Sequence, residues 1–254
     1  PTFGLALAVR PGAHGGALAP LSPLRRWRLG EVDEKAGLTG GRVALDERVL
    51  HFLAGLNDLD HRLHSLIDPV AEARLMAPAH METAMGLATT LQSTFDATQV
   101  VQLAGDDQLA QEDVARIVAD VLRLRLYRLH AANIPEGVHE CAALATLWQR
   151  EAALLGGTLL IADADSHADA VRKLTSSLHG LVLIATREPI ALAVPNHLVR
   201  IDKPDMPSQR EIWRAALGVA ADGMDDDIDQ LASRYRLSAR RIGDISIDVG
   251  PLAP

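Results

Sequence analysis

"GGTLLIADAD", residues 156–165, decides the fold. An aliphatic run held between a pair of glycines and two aspartates predicts a strand over 158–163 that is buried on both faces, as in a parallel sheet. Asp163 then sits where that strand leaves the sheet. Four more runs share this character: "VVQLAG" (100–105), "LRLYRL" (124–129), "LVLIAT" (181–186) and "HLVRID" (197–202). Helical segments over 108–122, 139–155 and 167–178 separate the first four strands. Such alternation predicts right-handed βαβ units and a parallel sheet covered on both faces. After Pro207 the segments "SQREIWRAAL", "DDDIDQLASRY" and "SARRIGDI" predict a small helical cap.

The first 70 residues follow a different pattern. "FGLALAV" (3–9) reads as a strand, and Ser22 followed by "PLRRWRLG" as a capped short helix or an extended segment. "LGEVDEK" and "LTGGRVALD" alternate around glycines as two short strands or a hairpin would. Asp46 opens "DERVLHFLAGL", where Val49, Leu50, Leu53 and Leu56 make one apolar helical face. These elements predict a small α+β module ending near Pro69. Residues 71–98 then form a connector with a helix around 80–95.

Composition narrows the class. Hydrophobic residues make up 48% of the 254 and aromatics only 3%, which suits helices and helix-covered sheets better than β-sandwiches. A formal charge of −8 opposes bulk electrostatic binding to nucleic acid or an anionic membrane. The single cysteine, Cys141, excludes an intramolecular disulfide and fits a reducing cytoplasm. No apolar run approaches membrane-spanning length, and no basic segment precedes "FGLALAV" as a signal peptide requires. The start at Pro1 raises the expectation that the chain is a piece of a longer polypeptide.

Ligands of open α/β sheets bind at the carboxyl ends of the strands, and a phosphate site needs a glycine-rich turn into a helix. Tested from Gly105, the pattern G-x-x-x-x-G-K-[ST] meets Ala110 for the second glycine, Gln111 for the lysine and Glu112 for the hydroxyl. Asp106 and Asp107 add carboxylates to the same turn. Two unit charges about 6 Å apart at an effective dielectric of about 20 interact by roughly 3 kcal/mol. Losing a cation and gaining anions therefore weakens triphosphate binding by about a hundredfold or more. The acids can instead satisfy the free N–H groups of the helix N-terminus. At the end of the 158–163 strand Asp163 occupies the place of a magnesium-supporting carboxylate, but Ala164 stands where a water-activating glutamate would follow. Asp165, one step further along an extended strand, would face the other way.

Taken together, residues 99–250 resemble a degenerate AAA+ ATPase module. "VVQLAG" matches its first strand, "GGTLLIADAD" its Walker B strand, and "LVLIATREP" its sensor-1 strand followed by T-N-R-P. "VRIDKPDMPSQREIWRAAL" resembles the I-x-x-P-x-x-x-x-R-x-x-I-L passage into the helical lid. The resemblance implies an α/β fold with a five-stranded parallel sheet, order 5-1-4-3-2, capped by a helical lid. Arg187 replaces the sensor-1 asparagine, and Arg240 in "LSARRI" falls near the sensor-2 arginine, although a solvated helix arginine is the simpler reading. No arginine lies between Arg187 and Arg200 to reach a neighbouring subunit. "GLALAVRPG", "PLRRWRL" and "LDERVLHFLAGLNDLDHRL" resemble the winged-helix segment of bacterial tandem ATPases, several of which are encoded beside contractile injection systems.

The implied organisation is a winged-helix-like domain at 1–70, a helical connector at 71–98, an AAA+ core at 99–203 and a lid at 204–254. No catalytic residue, metal or bound cofactor is expected in the chain itself. ATP and magnesium belong to an active domain after residue 254, and the expected partners are that AAA+ domain and other subunits of a ring. Alone, the chain is expected as a monomer or weak dimer. A winged helix also invites DNA, but Arg25, Arg26 and Arg28 around Trp27 are followed by Glu31, Asp33 and Glu34, so the local field is mixed. His51, His61 and His64 lack zinc spacing, and Cys141 lies in an apolar helical stripe.

Overall fold

The computed structural model describes residues 2–9, 16, 19, 22–33, 41–72, 75–93 and 98–249. It divides into two compact units, Pro1–Ser65 with Ala142–Leu155, and Leu66–Cys141 with Gly156–Pro254.

The first unit contains α1 (Phe3–Val9), α2 (Pro23–Arg26), β1 (Gly30–Val32), β2 (Val43–Leu45) and α3 (Glu47–Leu53). The strand expected over 3–9 is a helix. A seven-residue run that is apolar throughout carries no period, its Leu and Ala favour helix, and Leu5 N–H donates to Thr2 Oγ1 at its start. β1 and β2 pair antiparallel, Glu31 opposite Ala44. Residues 34–40 of the expected hairpin lie outside the described residues.

Asp46 caps α3 by accepting from Arg48 N–H at 3.1 Å. The apolar face expected on this helix does not point inward: Leu50, Leu53 and Leu56 are 55%, 69% and 55% exposed, whereas Arg48 is buried. Beside buried Leu63, Leu144 and Trp148, this unit also buries charged side chains. Arg48 Nε donates to Glu151 at 2.8 Å, and Arg150 holds Asp60, Asp46 at 3.2 Å and the Arg28 carbonyl at 3.0 Å. Arg62 adds bonds to Asp60 at 2.6 Å and Asp46 at 2.9 Å. Glu151 and Asp60 are buried, so these pairs must be kept complete.

The second unit is built on β3 (Ile67–Pro69), β4 (Gln99–Ala104), β5 (Arg125–His130), β6 (Gly157–Ala162), β7 (Leu181–Thr186) and β8 (Asn196–Arg200), with α4 (Pro78–Gln92), α5 (Gln108–Val121) and α7 (Ala168–Thr175). Helix α6 (Val138–Leu155) begins in this unit, and its residues from Ala142 belong to the first. The sheet order is β3-β5-β6-β7-β4-β8. It is therefore six-stranded and mixed, not five-stranded and parallel. β3 returns antiparallel beside β5, with Ile67 opposite Leu129. Three residues are too few to show a period, and Pro69 suits an edge because it has no N–H to give.

Alternation assigns the faces. Val101, Leu103, Leu160, Leu183 and Ala185 pack with α5 residues Val114, Ala115 and Val118 and with α4 residues Ala84, Leu87, Ala88 and Leu91. Val100, Leu159, Ile161, Val182 and Ile184 on the opposite face are buried too. Helices α8 (Met206–Leu217), α9 (Asp225–Arg234) and α10 (Ala239–Val249) form a lid with its own core of Ile212, Trp213, Ile228, Ala239 and Ile242, to which Leu75 and Ala77 contribute. Asp205 caps α8 through Ser208 N–H, and Asp225, Asp226 and Asp227 occupy the first turn of α9. No helix among the described residues is long and apolar enough to cross a membrane.

Burial would raise the Asp60 carboxyl, but hydrogen bonds from Arg62 and the charges of Arg62 and Arg150 lower it from 3.8 to about 2. Ionised Asp60 thus stabilises the fold above its unfolded value, and this is lost as pH falls through about 2. Asp60→Asn is expected to cost on the order of 3 kcal/mol at neutral pH. In urea titrations the gap between wild type and variant should close steadily on acidification; a constant gap would refute the role given to this carboxylate.

Candidate functional site

The carboxyl ends of β4, β7 and β8 open on a cleft of about 860 Å³, closed on its other side by residues at the start of α10. Its floor is the turn from β4 into α5. Gly105 has φ +152°, and a Cβ there would lie 2.1 Å from the Ile201 carbonyl oxygen, so only glycine lets the turn lie against the chain leaving β8. Three further contacts pin that approach: Ile201 N–H donates to Ala104 O at 2.8 Å, Asp106 N–H to Asp202 Oδ1 at 3.2 Å, and Lys203 N–H to Asp106 Oδ1 at 2.7 Å.

The turn is short, because α5 begins at Gln108. Asp107, 1% exposed, caps the helix by accepting from Ala110 N–H at 3.1 Å. Burial pushes its carboxyl above the ordinary range, against the pull of that N–H. Of the three acids expected at this helix start, only Asp107 caps it: Asp106 turns to Lys203 and to Arg236 at 3.5 Å, and Glu112 lies beyond the first turn.

Ala110, Gln111 and Glu112 therefore lie on a helix. Gln111 is fully buried, and its amide nitrogen donates to the carbonyls of Gly105 at 3.1 Å and Thr186 at 2.9 Å, joining the ends of β4 and β7. Glu112 accepts from Arg128 on β5 at 2.8 Å and from Arg240 on α10 at 3.0 Å. Arg240 also grips the buried Asp113 with Nη2 and, at 3.2 Å, with Nε. It is not a solvated helix arginine, being only 24% exposed. Burial raises the Asp113 carboxyl against the pull of Arg240. Glu112, on which burial acts the same way, is held below its range by hydrogen bonds from Arg128 and Arg240.

β6 ends at Ala162, one residue before the predicted end. Asp163 follows in the left-handed region, φ 56°, where it accepts from Gln108 at 3.4 Å and meets His130 Nδ1 at 3.0 Å. Ala164 is buried in a short 3-10 turn. That turn defeats the expectation that Asp165 faces away, because extended alternation has already ended. Asp165 Oδ1 accepts Arg187 N–H at 3.1 Å, tying this turn to the end of β7.

Two environments result. Gly105 and Arg187 line the large cleft, with Arg187, Lys203 and Arg241 making no ion pair among the described residues, whereas Arg200 meets Asp202 at 3.2 Å. Gln111, Glu112 and Asp163 line a separate pocket of about 180 Å³, where Gln111 Oε1 and Arg128 Nε are buried without a hydrogen-bond partner among the described residues. Sequence reasoning missed Asp113, Arg128, His130, Asp202 and Arg236, because an isolated charge inside an apolar stripe looks like surface until its partner is known. Of the histidines singled out in the sequence, His64 Nε2 lies 2.8 Å from the Leu59 carbonyl and His61 Nδ1 3.6 Å from Asp60. Among the described residues no group of three or more His, Cys, Asp or Glu could hold a metal ion.

No curated protein matches the chain in sequence. Residues 205–252 match the family described as "Contractile injection system ATPase helical domain". Among solved structures, the FIGL-1 AAA domain in complex with ADP is similar at TM-score 0.51 and 16% identity, over 78% of this chain and 82% of that one. A katanin structure bearing on katanin self-assembly is similar at TM-score 0.50 and 13% identity, over 76% and 78%. The chain thus shares the fold of AAA domains, with a lid similar to the helical domain of contractile injection system ATPases.

Proposed function

We propose that this chain is the non-hydrolysing regulatory or scaffold portion of an AAA+ ATPase that serves a contractile injection system. One observation carries the reading: Asp107 takes a helix N–H that a phosphate loop would turn toward a triphosphate, and Gln111, at the place of the loop's lysine, spends its amide on the carbonyls of Gly105 and Thr186. The helix N–H at Ala110 is taken by a carboxylate, and no lysine or hydroxyl stands at 111 or 112. Walls of this kind hold their own shape without an anion. In this reading the nucleotide, magnesium and remodelling activity belong to an active AAA+ domain, after residue 254 or in a neighbouring ring subunit, and the present chain positions it. Residues 1–70 supply a winged-helix-like module for protein contact.

A second reading has its own support. The cations Arg187, Lys203 and Arg241 make no ion pair among the described residues and line a cleft large enough for a nucleotide, so the chain would bind ATP as a sensor without hydrolysing it.

Isothermal calorimetry with ATP and magnesium decides between the two. Silence at millimolar nucleotide supports the scaffold, and micromolar binding sinks it in favour of the sensor. Gln111→Ala should lower unfolding stability by about 1–3 kcal/mol, since the Gly105 carbonyl loses the Gln111 amide and the Thr186 carbonyl is left with the Gly105 N–H alone. An unchanged denaturation midpoint would mean that Gln111 is not part of the wall.

A further inference from the structure

The lid and the sheet have separate apolar cores. The lid's is drawn from α8, α9, α10 and the strip Leu75–Ala77, and the sheet's from β-strand residues with α4 and α5. Between two such bodies the hinge angle is set by whatever bridges them. Arg240 is the deepest polar bridge among the described residues. Its guanidinium makes a two-pronged contact with buried Asp113 and a third bond to Glu112 at 3.0 Å, and Glu112 is itself anchored to β5 by Arg128 at 2.8 Å. The other polar crossing, Arg236 to Asp106 at 3.5 Å and to the Lys203 carbonyl at 3.3 Å, is exposed.

We infer that Arg240 is a latch that fixes the helical lid on α5 in the absence of any ligand, with Glu112 and Asp113 supplying the anionic partner from within the chain. The inference rests on the scaffold reading in one respect, that no nucleotide is needed to hold the lid. A planar guanidinium matched to two carboxylates specifies direction as well as distance, so the latch sets one angle and does not merely tether. The partners are in low-dielectric surroundings, where screening by salt is weak. A lid held this way presents a constant surface to whatever it docks.

The test uses spin labels at two exposed positions, Val219→Cys on the lid and His179→Cys before β7, with buried Cys141 left unlabelled. Pulsed dipolar measurements should give one narrow distance in the parent. Arg240→Met should broaden it into several populations. Because that change leaves buried Asp113 without a partner and could unfold the protein, the triple variant Arg240→Met, Asp113→Asn, Glu112→Gln is measured beside it. Its helix content should match the parent while its distance distribution broadens. A folded triple variant with the parent's single distance overturns the latch. Calorimetric binding of ATP to the parent with an unchanged distance overturns the scaffold reading alone, and an ATP-induced shift of the parent distance overturns both.

Discussion

The contact between Gly105 and the carbonyl of Ile201 is the constraint on which the ligand-facing end of the sheet depends. With no Cβ in the way, the chain leaving β4 runs directly against the chain leaving β8, and the turn closes in three residues before α5 starts. That brevity assigns the neighbouring roles. Asp107 is placed to cap the helix, Gln111 falls one turn later beneath the floor, and its amide donates to the Gly105 carbonyl and to the Thr186 carbonyl, which also accepts the Gly105 N–H. A buried amide with both N–H groups used is rigid, and its orientation is decided by its acceptors. The floor of the cleft is thus built from side chains of the chain itself.

Charge plays the organising part in both units, though differently. In the second unit the sheet and the lid have distinct apolar cores, the lid's completed by Leu75 and Ala77, and Arg128, Glu112, Arg240 and Asp113 run between them. Such buried pairs add little net stability against a hydrophobic substitute, because desolvation offsets most of the attraction. Their value lies in geometry. Hydrophobic contact tolerates many angles, whereas a fork on a carboxylate tolerates few.

In the first unit Arg48, Arg150, Asp60 and Glu151 occupy the interior while Leu50, Leu53 and Leu56 face outward. Glu151 and Arg150 come from the part of α6 that belongs to this unit, 103 residues along the chain from Arg48 and 90 from Asp60 respectively. Buried charge of this kind is stable only when each charge meets its opposite.

The order of strands and helices after residue 98 was legible in the sequence, because short apolar runs bounded by glycine or acids alternate there with longer segments of helical character. The exposed leucines of α3, the helix at 3–9 and the antiparallel β3 were not, since seven apolar residues or three residues of strand fit more than one conformation. Of the candidate site, the sequence by itself determined which charges stand at the strand ends and that lysine and hydroxyl are missing from 111 and 112. Only the tertiary structure decided that Arg240 meets Glu112 and Asp113, that Asp163 meets His130, and that Gln111 bridges two strands. The physical reason is range: periodicity and capping are settled by neighbours within a turn or two, while a charge or an amide takes its partner from whatever the folded chain brings within about 3 Å.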